Sequence, residues 1–239
     1  MTNSIKFDHG EVKMIAHRGL SGIERENSCP AFIAAATHSY YGIETDIHVT
    51  ADGKYLVSHD SNLLRCTGVD MVIEETDFDT LRAVPLLDTD GKTLRTDLYP
   101  PTLEDYLSIC RKYGKQAVLE IKNQFEEKHI DGVLETISQF DWYERTTLIS
   151  FNEENLIIAR RLCPDIDIQF LGNATDELLA ECKKYNFGAD VNYKSLNADF
   201  VAKIHAADLK VNTWTVDKIE DAQRVIEMGV DQITSNILE

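Results

Sequence analysis

The chain has 239 residues, 43% hydrophobic and 27% charged, an ordinary globular composition with enough apolar residues for a large core. Its 24 Lys+Arg against 41 Asp+Glu give a formal charge of −17, which argues against a nucleic-acid-binding surface. No uninterrupted apolar stretch approaches the ~20 residues of a membrane span, so no span is expected. Residues Met1 to Lys13 are polar and hold no apolar signal-peptide core, so a soluble, cytoplasmic protein is expected. The five cysteines (Cys29, Cys66, Cys110, Cys163 and Cys182) are scattered and form no CxxC pair, and read as reduced, mostly buried fillers.

In chain order, the first predicted strand is Met14–Ala16 and the second Ile43–Val49. Ala51-Asp52-Gly53 is then a turn signal before a short apolar run, Tyr55–His59, and together they read as a hairpin. Residues Asp60 to Pro101 follow without clear periodicity; segments this long are uncommon in compact domains and are often functional. They read as an insertion, 60–101, passing over the end of strand two. Thr102 with Asp105 signals a helix start, and Leu103, Tyr106, Leu107 and Cys110 fall at i, i+3, i+4, i+7. A strand at Ala117–Ile121 precedes a second such pattern, Ile130, Val133, Leu134 and Ile137. Further strands are predicted at Leu148–Phe151, Ile168–Leu171, Ala189–Tyr193, Val211–Val216 and Gln232–Thr234. Helices between them start at Asn152, Thr175 and Asp217, with apolar stripes Phe200, Ile204, Ala207 and Ile219, Ala222, Ile226, Gly229. Eight strands alternating with helices predict a parallel α/β fold, a (β/α)8 TIM barrel formed as one domain over residues 1–239.

Four clusters end predicted strands, and that end carries the active site in characterised barrels of this kind. His17-Arg18 offers an acid–base group and a fixed cation whose fork matches phosphate oxygens. Glu44, Asp46 and His48 alternate along a strand and therefore share one face. Buried there, two carboxylates need a partner, which makes Glu44 and Asp46 candidate metal ligands, with a hydrogen-bonding role for His48. His59 ends the hairpin's return strand and supplies a second histidine near the first. Glu120 and Lys122 again share a face and either add a third oxygen ligand and a second cation or form a plain internal salt bridge. Ser150, Phe151, Gln169, Asn192, Lys194, Trp214 and Thr234 also lie near strand ends; of these, Trp214 can present a ring to substrate. His9, His38, His129 and His205 read as surface or helix residues.

These residues together resemble the glycerophosphodiester phosphodiesterase family, in its soluble, bacterial form. The resemblance runs through His17-Arg18-Gly19, Glu26-Asn27-Ser28 with Ala31-Phe32, Glu44-Thr45-Asp46, Thr50 with Asp52-Gly53 and His59-Asp60. It continues through Leu63 to Thr67, Pro101 to Glu104, Glu120-Ile121-Lys122, Ser150-Phe151, Trp214-Thr215-Val216 and Gly229-Val230-Asp231. It implies a barrel with a small insertion after strand two. It also implies Glu44, Asp46 and Glu120 as ligands of one divalent cation, His17 and His59 as the acid–base pair, and Arg18 and Lys122 on phosphate. Arg25 stands where the family often has proline, and Ser235-Asn236 replaces its usual aspartate after Thr234; both read as lying outside the metal–histidine set.

The expected activity is hydrolysis of a small-molecule glycerophosphodiester to sn-glycerol 3-phosphate and an alcohol, with Mg2+ or Ca2+ matching an all-oxygen ligand set. Water or the substrate's own glycerol hydroxyl can serve as nucleophile, and either histidine as the acid. The rival readings are a lipid phosphodiesterase of the phospholipase or lysophospholipase D type, and a non-catalytic phosphodiester-binding protein. The oligomeric state leaves no mark in the sequence.

Overall fold

The computed structural model describes residues 3–239; residues 1 and 2, part of the polar N-terminal stretch read above, lie outside the described residues. Eight parallel strands form the framework: β1 (Lys13–Ala16), β2 (Gly42–Val49), β3 (Gln116–Ile121), β4 (Thr146–Ser150), β5 (Asp167–Gly172), β6 (Gly188–Asn192), β7 (Val211–Trp214) and β8 (Gln232–Ser235). Each pairs with its neighbours in chain order, and β1 pairs with both β2 and β8. The sheet is therefore closed, a (β/α)8-type barrel. All eight predicted strands are present, with ends shifted by one or two residues.

Between the strands run α1 (Cys29–Thr37), α2 (Leu103–Tyr113), α3 (Glu127–Gln139), α4 (Glu153–Leu162), α5 (Asp176–Tyr185), α6 (Ala198–His205) and α7 (Ile219–Glu227). The Thr102–Asp105 signal is a true capping box, each side chain bonding the other residue's backbone N–H, a device worth about 1 kcal/mol. Asn152 and Thr175 also cap their helices with side-chain oxygens. Asp217 does not: α7 begins one residue later, and the Asp217 carboxylate turns instead toward Ser235 and Asn236. Two apolar-stripe residues fall outside their helices. Ala207 lies beyond the end of α6, and Gly229, at φ +90°, stands past the end of α7 in a conformation that favours glycine.

Strand alternation sorts side chains into two cores. Outward residues such as Ile43, Ile47, Ala117, Leu119, Ile121, Leu148 and Ala189 pack with the helices, where the α2 and α3 stripes are fully buried. Inward residues Ile15, Val118, Ile149 and Leu171 form a separate apolar layer inside the barrel, with Trp214 against it. Buried polar side chains also pair between strands: Gln169 donates to Gln232 (3.0 Å) and Asn212 to Thr234 (3.0 Å).

The hairpin after β2 is formed as expected, with Tyr55–Val57 antiparallel to Ile47–Val49. The segment 60–101 is not a bare loop. It contains short helices at Leu64–Thr67 and Phe78–Arg82 and a two-stranded ribbon, Leu86–Leu87 with Leu94–Arg95. Leu56, Leu63, Ile73 and Leu81 form a small core beneath it. No helix among the described residues is long and apolar enough to cross a membrane.

Candidate functional site

At the C-terminal end of the strands lies an open cavity of about 180 Å³, lined by His17, Arg18, Glu44, His59, Glu120 and Lys122 on one side. Phe151, Leu171, Asp190, Trp214 and Thr234 line the rest with Ile149 and Thr215. Strand alternation accounts for the placement. Glu44, Asp46 and His48 project from one face of β2, while Asp46 pairs in register with Glu120 on β3.

Glu44, Asp46 and Glu120 are buried, and an oxygen of each lies within 4.8 Å of the others. Like charges that close repel by roughly 3 kcal/mol per pair at an effective dielectric near 20. Arg18 Nε lies 3.4 Å from Asp46 Oδ2, and Lys122 Nζ is 3.4 Å from Asp46 Oδ1 and 2.8 Å from Glu120 Oε1. Two cations against three carboxylates leave a negative excess. Asp46 Oδ1 and Glu120 Oε1 still receive no well-directed hydrogen bond. The titration of the group reflects the same imbalance. Burial, then Asp46 and Glu120, push Glu44 well above the ordinary carboxyl range. Burial, then Asp46, push Glu120 up to about 7. Asp46 is lowered, because Lys122 and Arg18 outweigh its burial. This donor set fits a divalent cation: oxygen-only, buried, anionic in excess, with lone pairs left open.

Neighbouring residues hold these oxygens in place. Arg18 (φ 55°) and Asn27 (φ 51°) adopt the left-handed backbone, a conformation costing roughly 1–2 kcal/mol for non-glycine residues. In it the Arg18 N–H donates to Glu44 Oε2 (2.7 Å). Asn27 Nδ2 donates to Asp46 Oδ2 (2.8 Å), its orientation set by the Thr45 hydroxyl on Oδ1 (2.8 Å). Gly19 makes the turn possible, since a Cβ there would come within 2.6 Å of the Ala31 backbone.

The two histidines stand on different supports. His59 Nδ1 lies 2.8 Å from Asp60 Oδ1, and Arg65 Nε donates to Asp60 Oδ2 (2.6 Å). The Arg65 guanidinium also grips both oxygens of Glu26 (2.8 and 2.9 Å), and Glu26 Oε1 accepts from Arg18 Nη1 (2.9 Å). One arginine of the segment 60–101 thus braces the second histidine and Arg18 together. His17 Nδ1 lies 2.7 Å from Asn236 Oδ1, and its Nε2 is 4.0 Å from Glu44 Oε2. Burial, then Arg18, push His17 down to about 4, so it is neutral near pH 7. Burial is also the largest influence lowering His59.

The sequence reading of Ser235-Asn236 needs correction. Asn236 does not lie outside the metal–histidine set, because it contacts His17 directly. Arg25 does lie apart, its guanidinium donating to the backbone carbonyls of Arg65 (3.3 Å) and Asp88 (3.5 Å). His48 turns its Nε2 to the His59 carbonyl (3.2 Å) and stands outside the carboxylate cluster. Of the weaker candidates, Phe151, Trp214 and Thr234 reach the cavity; Ser150, Gln169, Asn192 and Lys194 do not line it. His9, His38, His129 and His205 lie away from it. Sequence reasoning missed Asp190, Asn236, Arg65 and the supporting roles of Glu26 and Asn27. Asp190 carried a signal, a lone carboxylate inside an apolar strand run; burial, then Glu120, push it well above the ordinary range.

Comparison with known proteins gives the same direction. The model of the glycerophosphoryl diester phosphodiesterase family matches residues 17–238. The uncharacterized protein YqiK of Bacillus subtilis (strain 168) is 30% identical over 237 residues, covering 95% of this chain and 96% of the relative. A glycerophosphodiester phosphodiesterase of the same organism is 29% identical, covering 93% of this chain and 82% of its own length. Among solved structures, an Oleispira antarctica phosphodiesterase in complex with the product sn-glycerol-3-phosphate has a TM-score of 0.86 at 24% identity, over 94% of this chain and 93% of that one. With the family model spanning nearly the whole barrel, the chain belongs to the glycerophosphoryl diester phosphodiesterase family.

Proposed function

We propose that the chain hydrolyses glycerophosphodiesters to sn-glycerol 3-phosphate and an alcohol by a metal-dependent, two-histidine reaction. Membership of the family makes it a phosphoric diester hydrolase. The finer reading rests chiefly on one observation: two histidines, two cations and the carboxylates Glu44 and Glu120 line a single cavity, with Asp46 beside them. The sn-glycerol 3-phosphate held by the Oleispira antarctica barrel adds support.

Glu44, Asp46 and Glu120 would hold the cation, Mg2+ or Ca2+, which when bound withdraws charge from phosphorus through a phosphate oxygen. Arg18 and Lys122 neutralise the remaining phosphate oxygens as charge builds. One histidine takes the proton of the nucleophile and the other returns a proton to the departing alkoxide. Trp214, its Nε1 held by the Asp190 carbonyl (3.1 Å) and its ring edge-on to Phe151 (5.6 Å between centroids), offers an apolar wall for substrate carbon. Residues 60–101 act in this reading as an insertion of the one barrel domain, bracing Arg18 and His59 through Arg65.

The direct test measures sn-glycerol 3-phosphate release from glycerophosphocholine, -ethanolamine, -glycerol and -inositol, and lysophosphatidic acid release from lysophosphatidylcholine, with and without added metals. Release from the glycerophosphodiesters is expected. A strong preference for the lysolipid would favour the lipid phosphodiesterase reading. Tight binding without turnover under any metal would make the chain a binding protein.

The cation also predicts a pH dependence. Metal-free, Glu120 titrates near 7 in the folded protein, against about 4.5 for an ordinary glutamate. Between those values the native state binds more protons than the unfolded chain, so this group's contribution to stability falls as pH rises. A cation takes the place of those protons. The rise in Tm on adding Mg2+ or Ca2+ should therefore be small near about pH 5 and clearly larger above about pH 7. An equal rise at both would detach Glu120 from the cation.

A further inference from the structure

We infer that Asp217 and Asn236 are positioning residues that hold His17 in its Nδ1–H tautomer, so that the unprotonated Nε2 faces the cavity. This rests on His17 being an acid–base group of the reaction proposed above, but the tautomer can be read without it.

The hydrogen-bonding roles along this chain of groups follow from Asp217. An ionised carboxylate only accepts. Asp217 Oδ1 receives the Asn236 backbone N–H (2.8 Å) and the Ser235 hydroxyl (3.0 Å). Asp217 Oδ2 stands 2.7 Å from the Asn236 side-chain nitrogen. The Asn236 amide must therefore turn its NH2 to Asp217, since the opposite flip would set two acceptors against each other. That leaves its Oδ1 toward His17 Nδ1 (2.7 Å), with the Ser21 hydroxyl also within reach (2.8 Å). Facing an acceptor, Nδ1 of a neutral imidazole has to carry the proton, and Nε2 keeps its lone pair. Nε2 is the nitrogen toward Glu44 and the cavity.

Backbone bonds reinforce the alignment. The His17 N–H donates to the Ser235 carbonyl (2.8 Å), next to Asn236 on the strand that closes the barrel. The chain thus runs from a charged anchor, through an amide of fixed orientation, to a histidine of fixed tautomer. It also explains why Asp217 fails to cap α7: its oxygens are occupied by Ser235 and Asn236.

The test combines NMR with kinetics on the metal-loaded protein. In 15N-histidine-labelled wild type at neutral pH, His17 should show a protonated Nδ1 and an unprotonated Nε2; the reverse pattern overturns the proposal. Asn236→Leu should give a mixed or reversed tautomer. It should also lower kcat roughly 10- to 100-fold, part of the ~10²–10⁴ that acid–base help supplies, with KM changed by less than about threefold. The double swap Asp217→Asn with Asn236→Asp keeps an acceptor against Nδ1 and a donor between the two residues, and should recover most of kcat. An Asn236→Leu protein with one Nδ1–H tautomer and wild-type kcat sinks the idea. If Asn236→Leu does not fold, the wild-type spectrum still decides. A wild type with the expected tautomer but no diester turnover would reject the proposed function and leave the positioning intact.

Discussion

Stripping divalent cations should abolish diester hydrolysis, and Mg2+ or Ca2+ should restore it. Lewis-acid stabilisation is worth several kcal/mol, so the loss should be on the order of 10³-fold or more. Glu44→Gln should behave like chelation, because an amide carries no negative charge to the cation. The amide can still accept the Arg18 N–H that now reaches Glu44 Oε2, so the left-handed turn at Arg18 should persist. The fold should survive as well. The large core lies between the outward strand residues and the helices, and the three carboxylates are no part of it. Circular dichroism and Tm of Glu44→Gln check the fold, and turnover checks the site. Full activity in excess chelator, with the protein shown metal-free by elemental analysis, would end the metal reading.

The second large effect concerns the histidines. His17→Ala and His59→Ala should each lower kcat by ~10²–10⁴ while product still binds, since Arg18, Lys122 and the carboxylate-held cation remain. Their supports differ in charge. Burial lowers both rings, His17 to about 4. Only His59 has a carboxylate on Nδ1, that of Asp60, whereas His17 has the neutral Asn236 amide. His59 is therefore expected to be the better proton carrier and His17 the better resting acceptor. A p-nitrophenyl diester, whose leaving group needs little protonation, should rescue His59→Ala far more than His17→Ala. The opposite pattern would reverse the two roles. Near wild-type kcat in both variants on natural diesters would remove the two-histidine mechanism altogether. The wild-type pH profile should be bell-shaped, with limbs belonging to the coupled site rather than to one residue each.

Much of this was legible along the chain because it is written between near neighbours. Period-two alternation put Glu44 with Asp46, and Glu120 with Lys122, on common strand faces, and the structure turns those faces inward. The Thr102–Asp105 box and the α2 and α3 stripes likewise depend on residues within two turns of each other. Asp217 marks the limit of local reading. It has the residue type and position of a helix cap, yet barrel closure brings it Asn236 and Ser235, which compete for its oxygens.

The supports of the site were decided by tertiary structure alone. His17 and Asn236 are 219 residues apart, and they meet because β8 closes against β1 with Ala16 opposite Ser235. Arg65 reaches Glu26 across 39 residues because the segment 60–101 folds over a small core that it shares with Leu56. Neither contact leaves a period or a spacing in the sequence. Sequence by itself therefore determined the eight strands, the helices from α2 to α7 and most of the inward-facing chemistry, each a matter of local backbone geometry, whereas α1 carried no such signal. Closure decided which polar side chains stand behind that chemistry, because only a closed sheet makes its first and last strands neighbours.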